Sequence, residues 1–148
     1  MVGHLGPDLL DPAVDLAEAV RHFTAQPDRA IGEALLDQRL AAGIGNVYKS
    51  ELLYLHRLHP TAPIAAVADL DALLRDAVRL LSGNLGHFNR TTTGWRQAGR
   101  QYWVYGRTGK ACYRCRGEIL SMEQGPPGSD RITYYCARCQ TTPLVPPG

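Results

Sequence analysis

Four cysteines limit the fold of this chain more than any other feature. Cys112, Cys115, Cys136 and Cys139 form the pattern C-x2-C, twenty intervening residues, C-x2-C, all in the last third of 148 residues. Two such knuckles bring four thiolates into a tetrahedron, the closed arrangement of a structural zinc site. With all four positions taken by the protein, the expected metal is one Zn2+ per chain with a structural and not a catalytic role. The competing uses are two disulfides or a redox dithiol. Disulfides belong to oxidising compartments, and no signal-peptide pattern stands near Met1. A redox site of thioredoxin type needs a single C-x2-C after a strand in an alternating α/β pattern, which this region lacks.

Between the knuckles, 118–123 and 131–135 read as two strands joined by the turn Gly125-Pro126-Pro127-Gly128-Ser129-Asp130. Strand parity puts Ile132, Tyr134 and Cys136 on one face and Arg131, Thr133 and Tyr135 on the other. Arg131 then sits beside the exposed tip of the hairpin, with its guanidinium reaching outward.

The chain before the knuckles reads as four amphipathic helices, and so as a small bundle. Asp11 as N-cap and Pro12 at the first helical position open the first helix, which carries Leu16, Val20 and Phe23 inward and ends near Gln26. The second is expected from about Ala30 to Ala42, with Ile31, Leu35, Leu36 and Leu40 as its stripe. The third runs from Val47 to about Leu58, where His59-Pro60 stops it. The fourth spans about Leu70 to Asn84, capped by Asp69, with Leu70, Leu73, Leu74, Ala77, Leu80 and Leu81 as a broad buried face. His56, His59 and His87 lack metal-ligand spacing and read as structural or surface residues.

Between the second and third helices lies Gly43-Ile44-Gly45-Asn46. Gly43 and Gly45 permit positive φ and close approach of another backbone, and Asn46 is a good N-cap. A double-glycine turn followed by a helix N-terminus presents backbone N–H groups and a partial positive charge to an anion, with Lys49 one turn further on. An ordinary helical hairpin has the same local sequence, and the turn alone favours that reading.

Charge is divided unevenly. Residues 1–88 hold seven Lys and Arg against eleven Asp and Glu, whereas 89–148 hold nine against three. The basic half is the one suited to a polyanion. Residues 89–105 lack helical period and are polar and basic, either a mobile linker or a loop that orders on a phosphate backbone. No apolar run reaches membrane-spanning length.

Taken together, the chain resembles the C-terminal part of the formamidopyrimidine-DNA glycosylase / endonuclease VIII family. The resemblance runs from about Leu5 to Gln140. It rests on Leu35-Leu36-Asp37-Gln38, Gly43-Ile44-Gly45-Asn46-Val47-Tyr48, Leu58-His59-Pro60, Val104-Tyr105-Gly106-Arg107 and Arg131-x-Thr133-x-x-Cys136-x-x-Cys139. Lys49-Ser50-Glu51 and Thr91-Thr92-Thr93-Gly94 favour the endonuclease VIII-like branch. The fold implied is mainly α: a small helical bundle with a helix–two-turns–helix motif, followed by a four-cysteine zinc-ribbon β-hairpin. The divisions are a leading segment (1–10), a DNA-binding helical domain (11–88), a basic flexible loop (89–105), a zinc-finger hairpin (106–142) and a tail (143–148).

The resemblance also implies a function. Asn46 matches the family asparagine that holds phosphates beside the flipped nucleotide, and Arg131 the hairpin arginine that clamps them, also credited with donating a proton in the second elimination step. Lys49, Gly43 and Gly45 complete the expected DNA-binding set. Extruding a base costs unstacking energy, which phosphate clamps offset. The partner implied is double-stranded DNA at damaged or abasic sites, in a bacterial cytoplasm and nucleoid. The family's chemistry needs an N-terminal proline and a neighbouring glutamate, and this sequence begins Met1-Val2-Gly3-His4. The expectation is therefore a damaged-DNA-binding half of a bifunctional glycosylase/lyase, separated from its catalytic domain and inactive alone. The gap between the knuckles is longer than is common in the family, so Gly125 to Ser129 look like an insertion. The alternatives are a stand-alone non-catalytic DNA-binding protein and, more weakly, a zinc-ribbon protein-interaction module.

Overall fold

The computed structural model describes residues 5–85, 91–95, 99–125 and 131–141. Its elements are α1 (Leu16–Thr24), α2 (Ile31–Leu36), α3 (Asn46–Leu55), a 3-10 turn (Ile64–Ala66), α4 (Leu70–Gly83), β1 (Leu120–Glu123) and β2 (Ile132–Tyr135). Four helices and one antiparallel hairpin match the expected architecture in outline. None of the described helices is long and apolar enough to cross a membrane.

The boundaries differ where two residues compete for one role. Asp11 does not cap α1; its carboxylate folds back onto the N–H of Ala13 at 2.9 Å, a local turn. Asp15 caps instead, accepting from Ala17 and Glu18 at 3.0 and 3.3 Å. Ala19 and Phe23, both at 0% exposure, form the buried face of this shorter helix. Helix α2 stops six residues before the expected end at Ala42. Asp37 ends it, with extended backbone (ψ 103°) and a carboxylate that takes its neighbours' donors in place of the helical ladder. Leu40 and Ala41 remain in the core without being helical.

Helix α3 begins one residue earlier than expected. Gly45 is its N-cap and Asn46 is already helical. Gly43 has φ 121°, a conformation that accounts for a glycine there. At the other end the helix gives way at His56, and Arg57 turns the chain with φ 58°. Helix α4 is as expected: Asp69 accepts from Ala72 at 2.9 Å, and Leu70, Leu73, Leu74, Ala77, Leu80 and Leu81 are all buried.

Two cores result. The larger gathers Phe23, Ile31, Leu35, Ile44, Leu52, Leu53, Leu73 and Leu74 from all four helices and the glycine turn. Each such side chain contributes about 1.5–3 kcal/mol on burial. The smaller comprises Val104, Ile119, three of the cysteines and Tyr54, which α3 lends to it.

The hairpin pairs Leu120 with Tyr135 through to Glu123 with Ile132. Its strands are shorter than expected; β1 is largely exposed, whereas β2 is packed on both faces. Tyr134 meets Tyr105 edge-on at 5.1 Å on the ribbon side. On the other side Tyr135 meets His59 at 5.2 Å, and Thr133, at 0% exposure, donates to Gln124 at 2.6 Å. Gln124 in turn donates to the Pro60 carbonyl at 2.9 Å. The face that holds Arg131, Thr133 and Tyr135 therefore turns toward the helices, and the outward reach expected of Arg131 is not what the strand does. Most of the expected tip (126–130), His87, parts of the basic segment (89–90 and 96–98) and the tail (143–148) lie outside the described residues.

Candidate nucleic-acid interface and metal centre

The glycine turn is held by one side chain. Gln38 accepts the N–H of Gly43 at 2.8 Å and donates to the carbonyls of Ile44 and Leu36 at 3.1 and 3.2 Å. The N–H of Gly43 is thus used internally and not offered to solvent as its sequence suggests. The start of α3 carries no side-chain cap, which leaves the positive end of the helix dipole at Gly45 and Asn46. A side-chain carbon built on Gly45 would meet no atom within 4 Å, so the space before this helix end is open.

Lys49 lies one turn in, fully buried, and donates to the Asn46 side-chain oxygen at 3.2 Å. Burial first, and then the charge of Arg131, hold its pKa down to about 8. That coupling joins two distant parts of the sequence, because Arg131 comes from the hairpin. Arg131 also lines a cleft of about 510 Å3 with Arg29, Asp37, Gln38 and Arg39. Asp37 receives Arg29 at 2.7 Å and Arg39 at 2.9 Å. Arg39 foremost, with Arg29 behind it and against the effect of burial, keeps the Asp37 carboxyl well below the usual carboxylate range. Of the sequence-derived set, Asn46 bonds Lys49, the charge of Arg131 is near enough to act on Lys49, Gly45 stands before them, and Gly43 serves the turn.

The four cysteine sulfurs lie within 4.8 Å of one another. Cys112 and Cys139 are 3.8 Å apart and Cys115 and Cys136 3.4 Å, far beyond a disulfide bond. A tetrahedron with metal–sulfur bonds of about 2.3 Å has sulfur–sulfur edges of about 3.8 Å, so the set fits a four-coordinate metal ion. Backbone N–H groups of Arg114 and Gly117 point at the Cys112 and Cys115 sulfurs at 3.4 and 3.3 Å. The Tyr54 hydroxyl lies 3.1 Å from the Cys112 sulfur, placed to donate to a thiolate. Such outer partners fix the orientation of metal ligands.

Sequence reasoning missed the residues that connect these sites. Ser50, Glu51 and Tyr54 follow Lys49 on α3, and all are at 0% exposure. Ser50 accepts the N–H of Tyr134 at 3.1 Å. Glu51 accepts the N–H groups of Trp103, Val104 and Tyr105 at 2.7, 2.8 and 3.0 Å, and the Thr92 hydroxyl as well. Burial pushes the Glu51 carboxyl up, against the pull of those donors. Gln140 accepts from Cys136 at 2.7 Å and donates to the Leu58 carbonyl at 2.9 Å. Arg107, read only as part of a motif, donates to the carbonyls of Trp103 and Ala111 at 2.7 and 2.8 Å and stacks on Tyr113 at 3.8 Å. Ser50 and Glu51 stood out in the sequence only as part of the Lys49-Ser50-Glu51 motif, with nothing local to announce their partners.

Comparison with known proteins agrees with this architecture. The family model described as the formamidopyrimidine-DNA glycosylase H2TH domain matches residues 5–93. A Mycobacterium bovis protein named endonuclease 8 2 is 46% identical over 140 residues, covering 95% of this chain and 53% of the relative. The MutM (Fpg) crystal structure from Thermus thermophilus superposes with a TM-score of 0.72 at 30% identity, covering 94% of this chain and 55% of the other. A Lactococcus lactis Fpg, in complex with DNA containing an abasic site, gives a TM-score of 0.69 at 28% identity over 92% of this chain and 51% of the other. The chain spans about half the length of the relatives it matches. With its helix–two-turns–helix bundle, its four-cysteine hairpin and these matches, the chain belongs to the formamidopyrimidine-DNA glycosylase / endonuclease VIII family, on the endonuclease VIII-like side.

Proposed function

We propose that this chain is a damaged-DNA-binding unit of a base-excision-repair glycosylase/lyase, and that it grips the phosphates of double-stranded DNA beside a damaged or abasic nucleotide. The observation that carries the reading is the Asn46–Lys49 pair at the start of α3 with Arg131, from the hairpin, near enough for its charge to bear on Lys49. Two cations close enough to act on each other are both stabilised by an anion that binds between them. The uncapped start of α3 and the open space before Gly45 suit a phosphate approaching along the helix axis. The cysteine tetrad is read as a structural Zn2+ site, which would hold β2, and with it Arg131, against the helices.

A salt titration of binding to abasic-analogue duplex DNA, followed by fluorescence anisotropy, tests the assignment. Arg131→Ala should weaken binding and lower the log–log salt slope by about 0.9, one phosphate contact. Asn46→Ala removes a neutral hydrogen bond, so it should cost about 1 kcal/mol with little change in slope. If Arg131→Ala leaves both affinity and slope at wild-type values, the hairpin arginine is not a phosphate clamp.

A further inference from the structure

Four of the seven cations of the helical half are already paired. Arg29, Arg39, Arg75 and Arg79 each contact an aspartate at 2.6–2.9 Å. Those around the first knuckle are not: among the described residues, Arg100, Lys110, Arg114 and Arg116 form no ion pair. All four are exposed, and all four line one open cleft of about 770 Å3, none of whose lining residues among those described is acidic. Aromatic rings form its other walls. The Arg114 guanidinium lies over both Tyr54 and Trp103, at 4.6 and 5.2 Å. Trp95 is 55% exposed, with Arg100 5.8 Å from its ring centre.

Arg116 adds a conformational observation. It sits at φ 66°, in the left-handed region, immediately before Gly117. A long side chain there is costlier than glycine. The knuckle therefore carries a cation at a place where its own backbone would favour none.

We propose that this cleft is a second nucleic-acid site and that its occupant is a single strand, with phosphates on Arg100, Lys110, Arg114 and Arg116 and an unstacked base on Trp95. The charges alone fit any polyanion; the exposed indole decides among them. In a duplex the base faces are covered by their neighbours, whereas a single strand has faces to offer. The site is separate from the duplex grip and does not depend on it. Asn46 opens α3, and Tyr54, under Arg114, lies eight residues on, about 12 Å along the axis. A duplex with a single-stranded arm can occupy both.

The test uses the full, zinc-loaded chain with a fluorescent oligothymidine and, separately, a blunt abasic-analogue duplex. Oligothymidine should quench tryptophan fluorescence. Trp95→Ala should weaken its binding by about fivefold or more, as loss of one base stack does, while duplex affinity changes by less than about twofold. Arg116→Gly should lower the single-strand salt slope by about 0.7 and leave the melting temperature unchanged or raised, which separates a binding role from a structural one. Arg131→Ala should give the reverse pattern, weakening the duplex alone. Three results overturn the proposal: Trp95→Ala without effect on oligothymidine, equal weakening of single strand and duplex by Trp95→Ala and Arg116→Gly, or competition by polyglutamate as strong as by oligothymidine. If only the Arg131→Ala effect on duplex is missing, the duplex assignment fails and this one stands.

Discussion

The two halves of the molecule are held together by different means. The helical half draws fully buried aliphatic side chains from all of its helices, whereas among the described residues the ribbon core has only Val104 and Ile119 as aliphatic members, completed by cysteines and a borrowed tyrosine. Two aliphatic side chains contribute about 3–6 kcal/mol, against about 1–2 kcal/mol of backbone entropy for every residue ordered. Hydrophobic burial cannot hold the ribbon by itself. Metal coordination and the hydrogen bonds to Ser50, Glu51 and Gln140 have to make up the difference. The helices should therefore persist without the ribbon, while the ribbon should depend on α3 and on a metal held by the cysteine tetrad.

Removing the metal should open the widest gap between the halves. Structural zinc in small domains contributes about 10–16 kcal/mol of apparent binding free energy. Chelation, or Cys136→Ser, should abolish the near-ultraviolet signal of Trp103, which stacks on Tyr54 at 5.7 Å, and largely preserve far-ultraviolet helicity. Helices that melt together with the ribbon would erase the distinction. Metal analysis of protein purified without chelator should return one zinc per chain.

Glu51→Ala attacks the junction itself. It strips three backbone N–H groups of their acceptor. At about 1–3 kcal/mol for each buried donor left unpaired, urea unfolding should show a loss of several kcal/mol, and Glu51→Gln a smaller one. An Ala variant as stable as wild type would mean the segment from Trp103 to Tyr105 is anchored elsewhere.

Lys49 offers a milder probe with opposite signs for binding and stability. Its folded pKa of about 8 lies below the ordinary 10.5. Duplex affinity should fall several-fold as pH rises through about 8, where the cation is lost, and Lys49→Arg should flatten the fall. Without DNA, stability should instead rise between about 8 and 10.5, because there the unfolded chain holds a proton that the folded one has released. A pH-independent affinity would remove Lys49 from the phosphate site. The smallest effect belongs to Arg75→Ala. Its pair with Asp71 is more than half exposed, so stability should change by less than about 0.5 kcal/mol and DNA binding not at all.

What the sequence made legible follows the same division. The Asp69 cap and the buried face of α4 were readable because every signal there agreed, and the knuckle spacing dictated the sulfur tetrad. The end of α2 was not readable, because its stripe continues through Leu40 and Ala41, which stay buried after Asp37 has ended the helix. Asp11-Pro12 carried the expected start of α1, but Asp11 closes a local turn and Asp15 is the cap. Gln38, Glu51 and Gln140 resisted for another reason: each polar side chain satisfies backbone groups on other segments, and no local pattern announces such a partner. The nearness of Arg131 to Lys49 was implied by the family resemblance, not by any local pattern.

The fan of contacts along α3 also has a consequence in time. Lys49, Ser50, Glu51 and Tyr54 present the ribbon with its anchoring points, and during synthesis they leave the ribosome long before Cys112 does. Domains emerge N-terminal part first, so the knuckles arrive to find a finished template. Nascent chains halted before the second knuckle should already protect α3 from proteolysis, and metal uptake should be the last step of maturation.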